Sequence, residues 1–304
     1  MNILVTGCLG HIGSNLIEGL VKNKKINVIG IDSNLNNNLN TLFHFKKKNF
    51  KFFLEDVINF DYKKNLKKID IIIHLASITN AELSLHHKKM YEKNNLGIFK
   101  KVVKISEHFN SKLIHISSTS VYGLSSNTVK EDLQNKYLKP QSPYAKIKLR
   151  EEQILRKNKK INFVSLRFGT IVGRSKGMRF HTAVNKFCLS ASFDKAIPVW
   201  KTAYNQNRPY LSINDANKTL FFFIKNKVFI NNEIYNVVTN NFTVKEIISK
   251  IKKVFKKKIK IKFINSKIMN QLSYKVNGDK IKKLGLKLSN DIYSDIEKTR
   301  EYLS

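Results

Sequence analysis

The chain has 304 residues, and a hydrophobic content of 42% excludes disorder throughout its length. Its formal net charge of +34 suggests a nucleic-acid partner, but lysine supplies 49 of the 56 basic residues and arginine only 7. Arginine is the residue favoured for bidentate recognition of phosphates and bases, and abundant Lys, Asn and Ile are typical of an A/T-rich genome. We therefore expect no specific nucleic-acid partner. Nucleic-acid binding is an alternative that rests on net charge alone.

The cysteines and the hydropathy pattern lead to expectations about the compartment. Cys8 and Cys188 lie far apart and form no C-x-x-C motif, so neither a disulfide framework nor a metal site is indicated. The N-terminus leads directly into the apolar run Asn2–Thr6, and no window approaches the ~18 apolar residues of a membrane span. We expect a soluble cytoplasmic protein with no membrane partner.

Short apolar runs alternate with helix-length segments along the first two thirds of the chain. Runs that are apolar on both faces are typical of a parallel sheet covered by helices. The predicted strands are Asn2–Thr6, Asn27–Ile31, Ile69–Leu75, Leu113–Ser117 and Phe163–Arg167. The predicted helices between them are His11–Lys22, a Lys-rich segment near 84–108, and Ser142–Lys157. This alternation predicts an α/β fold with a doubly wound parallel (Rossmann) sheet.

The helix predicted over Ser142–Lys157 carries clear signals at its start. Ser142 can cap it, and proline at the next position suits a first helical turn. Glu151 and Glu152 precede Arg156, a spacing that indicates ion pairs along a helix surface.

The alternating pattern weakens after Phe168, and residues 169–215 contain long loop-like stretches. A returning strand is predicted at Glu233–Val238 and a basic amphipathic helix at Val244–Phe255. We predict a Rossmann domain over residues 1–168, completed by the strand near 233–238, and a small mixed C-terminal domain over residues 169–304.

The first predicted strand leads directly into three glycines, Gly7, Gly10 and Gly13, in the spacing G-x-x-G-x-x-G before a helix. Glycines there let the backbone turn tightly and approach a pyrophosphate, whose charge then lies on the N-terminal amides of the helix. The second strand ends at Asp32, where a carboxylate can accept hydrogen bonds from an adenosine ribose. A 2′-phosphate would be repelled there and no Arg follows nearby, so the pattern favours NAD over NADP.

Two further motifs carry groups suited to proton transfer. A run of hydroxyl residues, Ser117 to Ser120, follows a strand and precedes Val-Tyr-Gly, at the edge of the sheet where α/β proteins bind ligands. Tyr144 and Lys148 then lie four residues apart, on one face of the predicted helix.

Together these motifs resemble the extended short-chain dehydrogenase/reductase family, within it the nucleotide-sugar epimerase/dehydratase branch, over nearly the whole chain. Thr170 stands where many members carry Asn, and Pro209 replaces a common Asp. The segment Gly177–Asn185, which contains Arg179, is similar to a bacterial subgroup. Other matching segments are Asp56-Val57, His74-Leu-Ala-Ser77, Asn94-Asn-Leu-Gly97, Leu166-Arg-Phe-Gly-Thr170 and Arg208-Pro-Tyr210 with Asp215.

The resemblance implies NAD as cofactor, a C-terminal domain that binds a nucleotide-diphospho-sugar, and a homodimer paired through its long helices. It assigns catalysis to Ser118, Tyr144 and Lys148. For cofactor binding it implies Gly7, Gly10, His11, Ile12, Gly13, Asp32, Asp56, Val57, Leu75, Ala76, Ser77, Asn94, Ser117, Tyr144 and Lys148. For substrate binding it implies Ser118, Thr119, Thr170, Arg179, Trp200 and Arg208, and it implies no metal.

The family's chemistry assigns a role to each catalytic residue. Tyr144 takes the proton of a sugar hydroxyl while hydride moves to the cofactor, and Ser118 hydrogen-bonds the reacting oxygen. A free phenol has a pKa of about 10, so Lys148 and the cationic nicotinamide are expected to favour the phenolate. Arg208 is expected to bind the substrate diphosphate and Trp200 to stack on the base.

The leading interpretation is an NAD-dependent epimerase of a nucleotide-diphospho-sugar that acts through a transient keto-sugar. The dehydratases of the branch carry adjacent Asp and Glu immediately before Val-Tyr-Gly, whereas this chain has Thr119 and Ser120. Hydroxyls are too weakly acidic or basic near neutral pH to replace carboxylates, which disfavours a 4,6-dehydratase. Asp32 disfavours an NADPH-consuming keto-sugar-nucleotide reductase. The complete catalytic set disfavours a non-catalytic dinucleotide sensor.

Overall fold

The computed structural model describes residues 1–42, 48–125, 127–133, 135–265 and 273–304. Its strands are β1 (Asn2–Thr6), β2 (Asn27–Asp32), β3 (Phe50–Leu54), β4 (Ile71–His74), β5 (Lys112–Ser118), β6 (Thr128–Val129), β7 (Phe163–Phe168), β8 (Thr170–Val172), β9 (Ile197–Trp200), β10 (Asn207–Ser212), β11 (Glu233–Val237), β12 (Asn240–Thr243), β13 (Ile261–Ile264) and β14 (Lys275–Val276).

Helices alternate with these strands. They are α1 (His11–Leu20), α2 (Tyr62–Asn65), α3 (Leu83–His86), α4 (Lys88–Phe109), α5 (Pro143–Lys157), α6 (Ala183–Ser192), α7 (Ile213–Lys225), α8 (Val244–Phe255), α9 (Asp279–Lys282) and α10 (Tyr293–Leu303). Short 3₁₀ helices cover Leu39–Leu42, Thr119–Val121, Asn135–Tyr137, Lys201–Ala203 and Lys227–Phe229.

Parallel strands form the central sheet in the order β11-β7-β5-β4-β1-β2-β3. Leu4 of β1 lies in register with Ile29 of β2 and Ile72 of β4, and both Leu4 and Ile72 are fully buried. From β1 the chain extends the sheet one way through β2 and β3, and the other way through β4, β5, β7 and β11. The predicted doubly wound fold is confirmed. The order reverses between β1 and β4, and ligands of such sheets bind at the carboxyl ends of strands at this point.

Apolar clusters cover both faces of the sheet and fill a separate C-terminal layer. One face packs against α1 and α7 through residues that include Leu16 and Leu220, and the other against α4 through Phe99. A further cluster draws its residues from Val172 onward and packs α6, α8 and α10 together. Smaller sheets join β12-β10-β8, β13-β9 and β14-β6.

The predicted elements agree with the structure best where the apolar pattern is long. The helix predicted over Val244–Phe255 is α8, and its capping box joins Glu246 N–H to Thr243 Oγ1 at 3.2 Å and Thr243 N–H to Glu246 Oε2 at 2.7 Å. Within residues 169–215, where long loop-like stretches were predicted, the structure also holds β8, α6, β9 and β10, which were not predicted. Strand β3 was not predicted. It lies at the sheet edge and is only half-buried, with Lys51 within its apolar run.

Within the described ranges, no helix combines the length and the apolar character that crossing a bilayer requires.

Candidate active site

The glycine motif forms a tight turn between β1 and α1. Gly7 has a φ of +70°, a left-handed conformation that favours glycine, and its N–H donates to the Ile31 carbonyl at 2.8 Å. A Cβ atom on Gly7 would lie 2.6 Å from the amide nitrogen of Ala76, and one on Gly13 would lie 2.8 Å from Cys8 Cα. Both positions therefore exclude a side chain, and the turn can approach a ligand closely.

The helix α1 begins directly after this turn, and a later segment covers its start. Its first amides have no partner within the helix, so they are available to an anion. The His11 ring donates from Nε2 to the Gly173 carbonyl at 2.8 Å, and the Gly177 N–H donates to Ser14 Oγ at 3.0 Å. A Cβ atom on Gly177 would lie 2.6 Å from the Gly10 carbonyl oxygen. We name residues 173–179 the covering segment.

His11 was predicted to bind cofactor, and its side chain is engaged by the covering segment. Burial lowers the pKa of His11 to about 4, so the ring is neutral near pH 7. The part of His11 that remains available to a ligand is its backbone amide at the helix start. The neighbouring Ile12 packs its side chain against the apolar cluster.

The carboxylate of Asp32 lies at the carboxyl end of β2, beside the glycine turn. Its Oδ2 accepts a hydrogen bond from the Leu9 N–H at 3.0 Å, and its Oδ1 accepts one from the Asn34 N–H at 2.8 Å. Asp32 therefore stabilises the backbone of the turn, and its remaining lone pairs could accept ribose hydroxyls.

Several buried polar atoms have no hydrogen-bond partner among the described residues, and they include Ser77 Oγ, Asn94 Oδ1 and Arg179 Nε, which belong to residues predicted to bind ligands. A buried polar group without a partner costs about 1–3 kcal/mol. Arg179 lies beside the glycine turn, since a Cβ atom on Gly10 would be 3.3 Å from its Nη2, and its Nη1 donates to Thr79 Oγ1. These orphaned atoms and the glycine cradle fit a polar dinucleotide.

Ser118 caps the 3₁₀ helix that follows β5. Its Oγ accepts hydrogen bonds from the Ser120 N–H at 3.2 Å and from the Ser120 hydroxyl at 2.8 Å, and the residue is half-buried. Thr119 is buried, and its hydroxyl donates to the Phe168 carbonyl at 3.3 Å. Its predicted contact with substrate therefore competes with a contact inside the protein.

Tyr144 and Lys148 lie on one face of α5, as predicted. The helix is capped by Ser142, whose Oγ accepts a hydrogen bond from the Ala145 N–H at 3.1 Å. The Lys148 ammonium lies 5.9 Å from the centre of the Tyr144 ring, and Lys148 is only 3% exposed. Because α5 packs against the 3₁₀ helix over Thr119–Val121, the pair lies beside the turn that Ser118 caps.

Burial controls the protonation of this pair. It raises the pKa of Tyr144 above the usual value, although the charges of Lys148 and Arg179 oppose the shift. The Glu151 carboxylate adds to the rise. For Lys148 burial alone would lower the pKa, but the neighbouring Glu151 raises it above the usual value, so the ammonium stays charged. In the chain alone, the lowering effect of Lys148 on the pKa of Tyr144 is smaller than the rise caused by burial.

The prediction that Glu151 and Glu152 form ion pairs on the helix surface was wrong. Both are buried, at 1% and 2% exposure. Glu152 forms a bidentate pair with Arg167, with Nε to Oε1 at 2.9 Å and Nη2 to Oε2 at 2.7 Å. It also accepts the Ser117 hydroxyl at 2.5 Å. Ser117, predicted to bind cofactor, thus commits its side chain to Glu152.

The predicted substrate residues lie in the C-terminal half. Thr170 and Trp200 are half-buried, at the start of β8 and at the end of β9. Arg208 on β10 donates from Nη2 to Gln206 Oε1 at 3.4 Å, and burial lowers its pKa although Tyr274 and Tyr210 oppose this. Like Arg179, it has no carboxylate within ion-pair distance among the described residues.

The remaining predicted cofactor residues line the strand ends. Leu75 and Ala76 follow β4, and their N–H groups donate to the Thr6 carbonyl at 3.0 Å and the Thr6 hydroxyl at 3.4 Å. Asp56 accepts the Ile58 N–H at 2.9 Å, and Val57 is buried. In the described part of the chain, no cluster of three His, Cys, Asp or Glu residues could hold a metal ion.

The sequence matches the NAD dependent epimerase/dehydratase family over residues 3–237. The chain belongs to this family. The resemblance stated from the motifs is therefore confirmed, and NAD is the cofactor of the family.

Individual relatives agree with this membership. The UDP-glucuronic acid 4-epimerase of Bacillus cereus, in complex with UDP-glucuronic acid and NAD, superposes with a TM-score of 0.91 at 28% identity, covering 100% of this chain and 99% of that one. A protein of Methanocaldococcus jannaschii, MJ1055, is 31% identical over 86% of this chain and 83% of its own length. The UDP-glucose epimerase YtcB of Bacillus subtilis, itself uncharacterized, is 35% identical over 61% of this chain. That match spans 62% of its length, less than two thirds.

Sequence reasoning missed the contacts that join the buried glutamates to the sheet. His115 donates to Glu151 from 36 positions away, and Arg167 pairs with Glu152 from 15 positions away. The available signal was weak. The signal was the position of Arg167, a charged residue within a strand that is mostly apolar.

We predict that Asp32 determines cofactor preference. Asp32→Ala should weaken NAD binding about 10- to 100-fold, because hydrogen bonds to a charged group contribute about 1.5–3 kcal/mol, and should reduce discrimination against NADP. Asp32→Asn keeps the size and one acceptor, so it isolates the effect of charge. Isothermal titration of each protein with NAD and with NADP measures both effects. A wild-type protein that binds NADP more tightly would contradict the prediction.

Proposed function

We propose that the chain is an NAD-dependent epimerase of a nucleotide-diphospho-sugar, which inverts a carbinol centre through a transient keto-sugar. The observation that supports the proposal most is the buried pair Tyr144 and Lys148 on α5, a helix that packs against the 3₁₀ helix capped by Ser118, in a chain whose glycine turn fits a dinucleotide. Family membership supports the reaction class.

In this proposal NAD lies at the glycine turn with its pyrophosphate against the first amides of α1. Asp32 would hold the adenosine ribose, and Ser77 and Asn94 offer their orphaned polar atoms. Arg179 is a buried guanidinium beside the turn, and its charge suits the pyrophosphate better than the sugar to which it was first assigned. When bound, NAD would supply reversible hydride transfer and a cationic ring that favours the phenolate.

The chain's own residues move the proton. Tyr144 as phenolate takes the proton of the reacting sugar hydroxyl, and returns it when the opposite configuration forms. Lys148 stabilises the phenolate electrostatically. Ser118 hydrogen-bonds the reacting oxygen, and its link to the Ser120 hydroxyl at 2.8 Å orients it. Rotation of the keto-sugar between the two transfers exposes its other face.

A dehydratase would need more than these groups. Elimination of water requires an acid that protonates the leaving hydroxyl and a base that removes a proton from the neighbouring carbon. Thr119 is buried with its hydroxyl committed to the Phe168 carbonyl, and Ser120 offers only a second hydroxyl. Neither position supplies a carboxylate, which favours the epimerase. A reductase that consumes NADPH remains the second candidate, and Asp32 is the observation against it.

We propose a UDP-sugar as the substrate class. The similar proteins of Bacillus cereus and Bacillus subtilis are described as epimerases of UDP-glucuronic acid and UDP-glucose, which supports this base. Arg208 is a desolvated cation with no carboxylate in ion-pair distance in the described ranges, which suits a site for the substrate diphosphate.

The deciding experiment is a panel of UDP-, dTDP-, GDP- and CDP-sugars incubated with the NAD-loaded protein. We expect one UDP-sugar to give an isomer of equal mass, seen as a change of sugar stereochemistry by NMR, with no net accumulation of NADH. A product lighter by one water would identify a dehydratase instead. Stoichiometric oxidation of added NADPH would identify a reductase.

We predict that Tyr144→Phe lowers turnover at least ~10²-fold, the usual scale for loss of a positioned proton-transfer group. The melting temperature and the affinity for NAD should stay close to wild type, because the ring and its packing remain. Tyr137→Phe removes the hydroxyl of an exposed tyrosine and is the matched control for the chemical change. Retention of most activity by Tyr144→Phe would exclude the mechanism.

The oligomeric state and the compartment are further proposals. We propose a homodimer paired through α4 and α5, supported by the exposure of Leu83 and Met90, each 49% exposed, beside these helices. Light scattering should give a mass near twice that of one chain, and Met90→Glu should lower it to one chain. Free thiols at Cys8 and Cys188 support a cytoplasmic location.

A further inference from the structure

The carboxylate of Glu151 lies next to Lys148, the lysine that stabilises the Tyr144 phenolate in the proposed function. Lys148 Nζ donates to Glu151 Oε2 at 2.9 Å, and the two side chains are 4% and 1% exposed. The same oxygen accepts His115 Nε2 at 2.9 Å. His115 Nδ1 in turn lies 2.9 Å from Ser165 Oγ. The ammonium that should stabilise the Tyr144 phenolate is thus already paired with an anion.

The tautomer of His115 follows from its partners. Burial lowers the pKa of His115, so the ring is neutral, and an ionised carboxylate can only accept. The ring hydrogen is therefore on Nε2, and Nδ1 accepts the Ser165 hydroxyl. The two hydrogen bonds, from Ser165 on β7 to His115 on β5 and from His115 to Glu151, hold the Glu151 carboxylate in one orientation toward Lys148.

The neighbouring Glu152 serves as an internal comparison. It lies one position further along α5, is equally buried, and pairs with Arg167 rather than with a catalytic group. A buried ion pair is weak evidence for a contribution to stability, since desolvation offsets much of its attraction. One such pair is enough to join α5 to the sheet. The Glu151 pair needs another explanation, because it reduces the field that Lys148 exerts on Tyr144.

We propose that Glu151 is a positioning residue for Lys148, which fixes the ammonium in the dry site and sets the pH at which the Tyr144 phenolate forms. This inference rests on the proposed function for its purpose. The contacts that support it are the two hydrogen bonds that Glu151 Oε2 accepts, one from Lys148 and one from His115.

The direction of the effect follows from the charges that face each group. Tyr144 faces Lys148 and Glu151 from its own helix and Arg179 from the covering segment. Lys148 faces Glu151, Glu152 and Tyr144. An anion raises the pKa of any acid near it, and the Glu151 carboxylate raises the pKa of both Tyr144 and Lys148. Removing its charge therefore lowers both.

Glu151 also faces charges from the sheet. Besides the Lys148 ammonium, the groups that lower its pKa are the imidazoles of His115 on β5 and His74 on β4, whereas burial acts to raise it. The ammonium and the His115 hydrogen bond hold the pKa of Glu151 below its usual value, so the carboxylate is ionised throughout the working pH range. Its effect on Tyr144 is then constant with pH.

The test is the ionisation of Tyr144 in the NAD complex without sugar, followed by the ultraviolet absorbance of phenolate. Subtracting the titration of the matching Tyr144→Phe protein isolates its signal among 11 tyrosines. In Glu151→Gln we expect the midpoint to fall by at least about 1 pH unit, since a nearby charge shifts a pKa by about 1–3 units. An unchanged or higher midpoint would overturn the proposal.

Glu152→Gln is the matched control. It removes the same charge one residue away, so it should lower the melting temperature through loss of the Arg167 pair while the Tyr144 midpoint moves far less. A midpoint that falls equally in both variants would also overturn the proposal, since it would show a general loss of negative charge. If Glu151→Gln does not fold, Glu151→Asp withdraws the carboxylate by one methylene. The midpoint should then fall by a smaller amount, and no fall would count against the proposal.

The titration needs no substrate, so it tests Glu151 even if the chain is not an epimerase. With the sugar from the panel in hand, the rate profile adds a second readout. Both limbs of the bell-shaped dependence of kcat on pH should move to lower pH in Glu151→Gln, because Tyr144 must be ionised and Lys148 protonated in the active form. If both limbs of the pH profile stay at the same pH while kcat falls, the role of Glu151 is only structural and the proposal is contradicted.

Discussion

The α5 helix is joined to the central sheet by charges that water does not reach. Glu152 bridges Ser117 on β5 and Arg167 on β7, and Glu151 reaches His115 on β5. Breaking one partner of such a pair leaves an uncompensated buried charge, which is far more costly than the net gain from forming it. The helix is therefore confined to one position against the strands. Because Tyr144 and Lys148 lie on this helix, the geometry of proton transfer depends on that constraint.

Two arginines show the opposite arrangement. Arg179 beside the glycine turn and Arg208 on β10 are desolvated, yet neither has a carboxylate partner among the described residues. A desolvated guanidinium without a carboxylate partner suits an anionic ligand. In the proposed function, the dinucleotide and the nucleotide-sugar each supply one diphosphate. The lysines of this basic chain lie mostly on its exposed faces. An ammonium group surrounded by water contributes little to specific recognition.

The parts of this architecture that follow from local sequence were predictable. β1 and α8 have the predicted bounds because their apolar periodicity is unbroken, and the glycine turn follows from steric limits at Gly7 and Gly13. The buried role of Glu151 and Glu152 was not predictable, because their spacing to Arg156 is equally compatible with a surface pair. Their true partners come from other strands. The short strands of residues 169–215 pair with segments distant in the chain, so their few residues carry no periodic signal.

The covering segment has a consequence for the lifetime of a bound cofactor. Its backbone is joined to α1 by the hydrogen bonds of Gly173 to His11 and of Gly177 to Ser14, and its glycine packs against the Gly10 carbonyl. Each of these bonds contributes about 1 kcal/mol, and opening the segment away from the turn breaks them together. Exchange of whatever the turn holds is thereby slowed relative to an open crevice. A redox carrier that is restored within every catalytic cycle gains from such slow escape, whereas one consumed as a co-substrate would be limited by it.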